Sequence, residues 1–183
     1  MKIPTTPPFT TISLPGNLPE AYIVNPKQNT DHALPTFIYF ALSGQESLSL
    51  DPFNQPAAFL SDFPIRTISF SLPSHEINED KHQGIANWAK FIKEGENFVK
   101  DFVIKVKNSI LHLIEKKIIN PKYIAVGGLS RGGFIATHLA AIMEEINHIA
   151  IFAPLTQLVF QPDFSNLSED PLAKSLSLYH LSP

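Results

Sequence analysis

The chain has 183 residues, 44% of them hydrophobic and 17% charged, with a formal net charge of −3. That balance fits one folded domain burying about 70% of its unfolded surface, not a disordered chain. It offers no electrostatic footprint for nucleic acid or an acidic membrane, and the absence of cysteine excludes disulfides, thiolate zinc sites and cysteine nucleophiles.

The chain reads as a single domain over 1–183, with an extended proline-rich segment over 1–35 and an irregular, lid-like segment over 154–183. Met1 to Pro8 holds no apolar core of signal-peptide length and no run reaches transmembrane length, so a cytoplasmic location is expected. Pro4, Pro7, Pro8, Pro15, Pro19, Pro26 and Pro35 interrupt any early helix, leaving Phe9–Leu14 and Ala21–Asn25 as extended edge strands. Thr36–Leu42 is a strong apolar run and predicts a central strand. It opens into a polar loop from Ser43 to Pro52. Phe53–Leu60 then reads as a short helix capped near Asp51, with Pro52 at its first position. Ile65–Ser71, bounded by Pro64 and Pro73, predicts the next strand.

Gly84 to Ile119 is helical in character, with a break near Gly95. Phe98, Phe102, Val106, Ile110 and Leu113 mark its inward stripe, and Lys100, Lys105, Lys107 and Lys116 lie elsewhere. Asn120-Pro121 ends it. Lys122–Val126 predicts a buried strand, Phe134–Glu145 a helix, and Ile149–Ala153 a further buried strand. From Pro154 onward prolines punctuate the chain, and only Leu172–Leu181 suits a helix. Strands alternating with helices predict an α/β fold, a three-layer α/β/α arrangement on a mostly parallel sheet.

Chemistry concentrates at Gly127-Gly128-Leu129-Ser130-Arg131-Gly132-Gly133. A Gly-x-Ser-x-Gly set between a strand and a helix is a nucleophile elbow. The serine is forced into a strained backbone state, and glycine two residues to either side removes the side chains that would collide. Ser130 then stands at a helix N-terminus, where N–H groups and the helix dipole favour developing negative charge. The N–H of Arg131 is the natural oxyanion donor. A merely flexible glycine turn with an incidental serine is the competing reading. The glycine spacing matches neither a dinucleotide fingerprint nor a phosphate-binding loop.

With these elements placed, Thr36 to Pro154 resembles the α/β-hydrolase superfamily. The wording Gly-Leu-Ser-Arg-Gly-Gly of residues 128–133 is similar to its prolyl-oligopeptidase-like and small-esterase branches. The resemblance implies Ser130 as nucleophile, Arg131 N–H as one oxyanion donor and a backbone N–H of Leu42 or Ser43 as the second. It also implies an acid and a histidine after the serine. One triad can be written in that order, Ser130 with Asp163 or Asp170 and His180, and the segment is short for the two strand-helix units expected there. The chain therefore reads as a C-terminally incomplete hydrolase. The implied activity is cleavage of a carboxylic ester or related acyl bond through a Ser130 acyl-enzyme. A prolyl-oligopeptidase-like serine peptidase, or an inactive hydrolase fold kept as a binding module, are the alternatives. The expected partner is a small acyl or peptide substrate, without cofactor, metal, nucleic acid or membrane, and with a homodimer as one possible state.

Among the other histidines, none makes an i, i+4 metal pair. His75-Glu76 follows a strand end and is either site-lining or a solvated loop. His138 reads as a satisfied core histidine. The Arg131 side chain either binds a substrate carboxylate or phosphate or anchors the elbow, and Phe152, Phe160 and Phe164 suggest an apolar wall or simply core.

Overall fold

The computed structural model describes residues 8–28, 32–76, 79–80 and 82–180. Strands β1 (Thr10–Ile12), β2 (Ala21–Val24), β3 (Leu34–Phe40), β4 (Arg66–Ser69), β5 (Ile119–Leu129) and β6 (Ile146–Phe152) form one sheet in the order β1-β2-β4-β3-β5-β6. β1, β2 and β4 pair antiparallel in succession, whereas β4, β3, β5 and β6 are mutually parallel. Parallel neighbours need crossovers. Helices α1 (Gly44–Ser49) and α2 (Gln55–Leu60) carry the chain from β3 to β4, α3 (Gly84–Lys93) and α4 (Phe98–Glu115) from β4 back to β5, and α5 (Arg131–Ala140) from β5 to β6. The chain thus leaves β3 toward one side and returns on the other. The carboxyl ends of β3 and β5 flank this switch point, where open α/β sheets form their crevices.

Period-two alternation in β3 builds the layers. Ile38 and Phe40 enter a core with Trp88 of α3, Val106 and Ile110 of α4, and Phe134 of α5. Phe37 and Tyr39 turn to the opposite face, with Phe53 and Leu60, while Tyr22 and Val24 meet Leu48 of α1 and Ala57 of α2. The result is the expected α/β/α arrangement. In α4 the inward stripe is real: Phe98, Val106, Ile110 and Leu113 are buried, and Gly95 breaks the helical stretch at a positive φ of 79° that suits glycine.

Several boundaries differ from the sequence reading. The polar loop after β3 contains α1, because Ser43 caps it: its hydroxyl accepts from Glu46 N–H at 3.1 Å and donates to Glu46 Oε2 at 2.9 Å, a side-chain N-cap. The cap expected at Asp51 is not used. α2 starts after Asn54, with Pro56 in its first turn. α5 begins at Arg131 and ends at Ala140, five residues before Glu145. The described part of Leu172–Leu181 holds all but the first residue of a short helix, α6 (Pro171–Ser175), and a 3-10 turn at Leu178–His180. The irregular segment after β6 is nevertheless anchored, since Leu158, Phe164, Ala173 and Leu176 are buried in the main core.

The largest departure is β6, expected to be buried. From Asn147 to Phe152 it is exposed, because it ends the sheet's strand order and, among the described residues, has only β5 beside it. Next to it, beyond α2, the sheet face opens into a groove of about 830 Å3 whose lining includes Phe37, Tyr39, Phe59, Tyr123, Ala150 and Phe152. An uncharged, unpaired strand edge is a template for self-association. Placing a charge on it in Ile151→Lys is expected to lower concentration-dependent light scattering while leaving the far-UV circular dichroism unchanged. Equal scattering by both proteins would acquit the edge.

Candidate active site

β5 ends at Leu129 and α5 begins at Arg131, so Ser130 alone makes the transition. Its backbone stands at φ 52°, ψ −113°, a region costly for any side-chain-bearing residue. Three hydrogen bonds hold it there. Ser130 N–H donates to Phe152 O at 2.9 Å, and Ser130 O accepts from Phe134 N–H at 3.2 Å and Leu155 N–H at 3.1 Å. Its neighbour across the turn, Ala153, also has a positive φ, 42°.

The flanking glycines are required sterically. A Cβ on Gly128 would lie 2.3 Å from the carbonyl carbon of Gly132, and one on Gly132 would lie 2.0 Å from Phe40 O. Both contacts are with backbone and neither can yield cheaply. The elbow is thus a strand-turn-helix in which β5 and α5 nearly touch each other and the end of β3.

Ser130 is exposed and lines a cleft of about 560 Å3. Around it stand Arg131, Ile85 and His82 on one side, and Thr156, Gln157, Phe160, Gln161 and Asp163 from the segment after β6. Asp163 therefore shares the cleft with Ser130. Asp170 does not. Its carboxylate accepts from Ala173 N–H at 2.9 Å and caps α6, a local structural role. His180 closes the turn Leu178–His180, and its side chain lies outside the described residues. Among the described side chains, His82 is the histidine that lines the cleft, a placement that its sequence neighbourhood does not announce.

In the loop after β3, the N–H groups of Ala41 and Leu42 both donate to Ser47 Oγ, at 3.1 and 2.9 Å. Gly44 N–H donates to Ser71 Oγ at 3.0 Å. Ser43, between them, is fully buried. Ser47 is a residue that the sequence reading missed: a serine one turn into a helix gives no hint that it will tie down the preceding strand end.

Among the described residues, two histidines are buried. His138, 7% exposed, places Nε2 3.0 Å from Leu176 O and packs edge-on to Phe134, the satisfied core histidine that was one expectation. His75 is 1% exposed, which removes the solvated-loop reading. Burial pushes the pKa of both below the usual 6.5; the hydrogen bond to Leu176 O opposes this for His138, and that to Pro73 O opposes it for His75, where the Arg131 charge adds to the lowering. Burial also lowers the pKa of the Arg131 guanidinium. Phe164 is core, while Phe160 stands 75% exposed at the cleft rim and Phe152 lines the groove. No group of His, Cys, Asp and Glu fit to hold a metal occurs among the described residues.

No protein-family model and no curated protein matches the sequence. Solved structures do. An acylaminoacyl peptidase of Pyrococcus horikoshii is similar with a TM-score of 0.63 and 10% identity over 96% of this chain and 29% of that one. A puromycin-hydrolyzing peptidase of Mycobacterium tuberculosis gives a TM-score of 0.65 and 14% identity over 94% and 29%. The α/β hydrolase GrgF of Penicillium sp. sh18 gives 0.60 and 14% over 88% and 51%. The chain has the α/β-hydrolase fold and spans about a third to a half of the length of these structures.

Gly132→Ala is expected to destabilise the protein by on the order of 2 kcal/mol or more in urea unfolding, since the new methyl meets backbone. A loss of a few tenths would show the elbow to be loose. The buried histidines give a pH dependence. The unfolded chain takes up their protons near the usual 6.5, before the folded chain does, so their contribution to stability is complete above that value and declines as pH falls below it. The melting temperature is expected to drop between about pH 7 and 5, with a shallower drop in His138→Gln.

Proposed function

We propose that this chain carries the nucleophile of a serine hydrolase acting on a carboxylic ester or related acyl bond. The observation that carries the reading is the strained, exposed Ser130 between two glycines that tolerate no Cβ. Ser130 Oγ attacks the acyl carbonyl, and the alcohol leaves with the proton that a general base first took from the serine. Water then hydrolyses the acyl-enzyme by the same route. The Arg131 N–H, at the first turn of α5, stabilises the oxyanion together with a donor from the loop after β3. In that loop Leu42 N–H is committed to Ser47 and Gly44 N–H to Ser71, which favours Ser43. Of the two candidate acids, Asp163 is favoured over Asp170 because it borders the same cleft as Ser130, with His180 as the base implied by the chain order.

The same elbow serves amide bonds. The likeness to two peptidases supports a serine peptidase as the second reading, and the polar lining supplied by Thr156, Gln157 and Gln161 suits a peptide as well as an ester.

A fluorophosphonate probe is expected to form one adduct, mapped to Ser130 and absent in Ser130→Ala. Turnover of p-nitrophenyl acetate is expected to fall by at least about 100-fold in the same variant. Folded protein that stays unlabelled would overturn the catalytic reading and leave a non-catalytic binding module.

A further inference from the structure

The sheet ends in two unequal edges. β1 is three residues long, with Pro8 and Pro15 close to it on either side in the chain, a short edge of the kind that discourages further pairing. β6 runs for seven residues without Pro, Asp, Glu, Lys or Arg. Ile149, Ile151 and Phe152 on it are 47%, 38% and 51% exposed.

Two observations fix which backbone groups of β6 are turned to the open side. Phe152 O accepts from Ser130 N–H at 2.9 Å, at the end of β5. Ala150 O also points at β5, since a Cβ on Gly127 would lie 2.3 Å from it. Successive residues of a strand turn their N–H and C=O to alternate sides. Ile149 and Ile151 therefore direct both groups outward. His148, Ala150 and Phe152 line the groove, so the side chains of Ile149 and Ile151 stand on the other face.

We propose that a second copy of this chain occupies this edge: two β6 strands pair antiparallel across a two-fold axis at Ala150 and join two six-stranded sheets into one. In this register Ile149 exchanges both backbone hydrogen bonds with the partner's Ile151, and Ile151 with the partner's Ile149. Ala150 faces the partner's Ala150 in the closely spaced, non-hydrogen-bonded position, where a small side chain fits. The neighbouring registers are worse. Moving the axis to Ile149 recruits Asn147, which is skipped where β6 slips against β5 and whose Oδ1 accepts from Ile124 N–H at 3.1 Å. Moving it to Ile151 recruits Ala153, whose φ of 42° has left the strand conformation.

Charge permits the pairing. Neither β6 nor the lining of the groove holds an Asp, Glu, Lys or Arg, so two identical faces meet without like-charge repulsion. The axis puts both grooves on one side of the joined sheet, where they run together. One strand edge buries less than the roughly 1,200 Å2 at which stable interfaces begin, so the dimer is reversible. It is also closed, because β1 offers no comparable edge for a third copy. The inference does not depend on the serine-hydrolase reading.

Sedimentation velocity over a dilution series tests the state. Monomer and dimer in reversible equilibrium, with no larger species, is the expected result. Monomer alone at millimolar concentration, or open-ended growth, overturns the proposal. Ile149→Pro removes an outward N–H and no bond to β5, so it is expected to keep the far-UV circular dichroism and lose the dimer. A folded Ile149→Pro that dimerises like wild type overturns the proposal too. The absence of cysteine from the chain makes the register readable. Under oxidised glutathione, Ala150→Cys is expected to form an intermolecular disulfide at least about tenfold faster than Ile149→Cys or Ile151→Cys, whose copies lie a diagonal step apart at roughly 7–8 Å. Faster crosslinking of either of those places the axis elsewhere and sinks the register. Should Ile149→Pro not fold, wild-type sedimentation and the cysteine series decide.

Discussion

Between Leu129 and Arg131 the chain has one residue in which to pass from a buried strand to the helix packed against it. Close packing makes that possible only without side chains at 128 and 132, where a Cβ would meet the opposing backbone at 2.3 and 2.0 Å. The same geometry forces Ser130 to a positive φ and presents its side chain to solvent. Strain of this kind persists only when the surroundings over-determine it. Here β6 and the residues after it do so, through Phe152 O and Leu155 N–H.

The rest of the molecule can be understood as support for that turn. β3 ends against Gly132, and its terminal N–H groups are gathered by Ser47 from α1. Phe134 of α5, Trp88 of α3 and Phe98 of α4 pack as one aromatic group beneath the elbow. Gly84, at the start of α3, leaves no side chain between His75 and Arg131, and the segment after β6 supplies the opposite wall of the cleft while burying Leu158 and Phe164 in the core. These supports come from several separate segments of the chain, and they meet at the carboxyl ends of the parallel strands, the natural place for a reactive group. The opposite face is less complete. The groove beside α2 and the bare edge of β6 leave apolar surface unpartnered among the described residues.

Much of this was legible locally. The apolar runs at Thr36–Leu42 and Lys122–Val126 sit on β3 and β5, the stripe from Phe98 to Leu113 sits on α4, and Gly95 breaks the helical stretch where it was expected to. Each is a signal written within a few residues. α1 departs from the sequence reading because its N-cap, Ser43, lies inside a stretch that otherwise looks like loop. β6 was read as buried because Ile149-Ala-Ile-Phe152 is apolar, and apolarity cannot tell a central strand from an uncovered edge. Asp170 and Asp163 are alike as sequence, yet one caps a helix and the other borders the cleft.

The sequence by itself determined the α/β alternation, the strand-turn-helix context of Ser130 and the need for glycine on both sides of it. These depend on backbone sterics and on periodicities of two and 3.6 residues, which are local properties. The tertiary structure alone decided which distant groups meet the elbow. Gly84 against both His75 and Arg131, and His82 and Asp163 around one cleft, bring together segments far apart in the chain. Their geometry follows from the order in which the strands pack, and no local pattern in the chain encodes it.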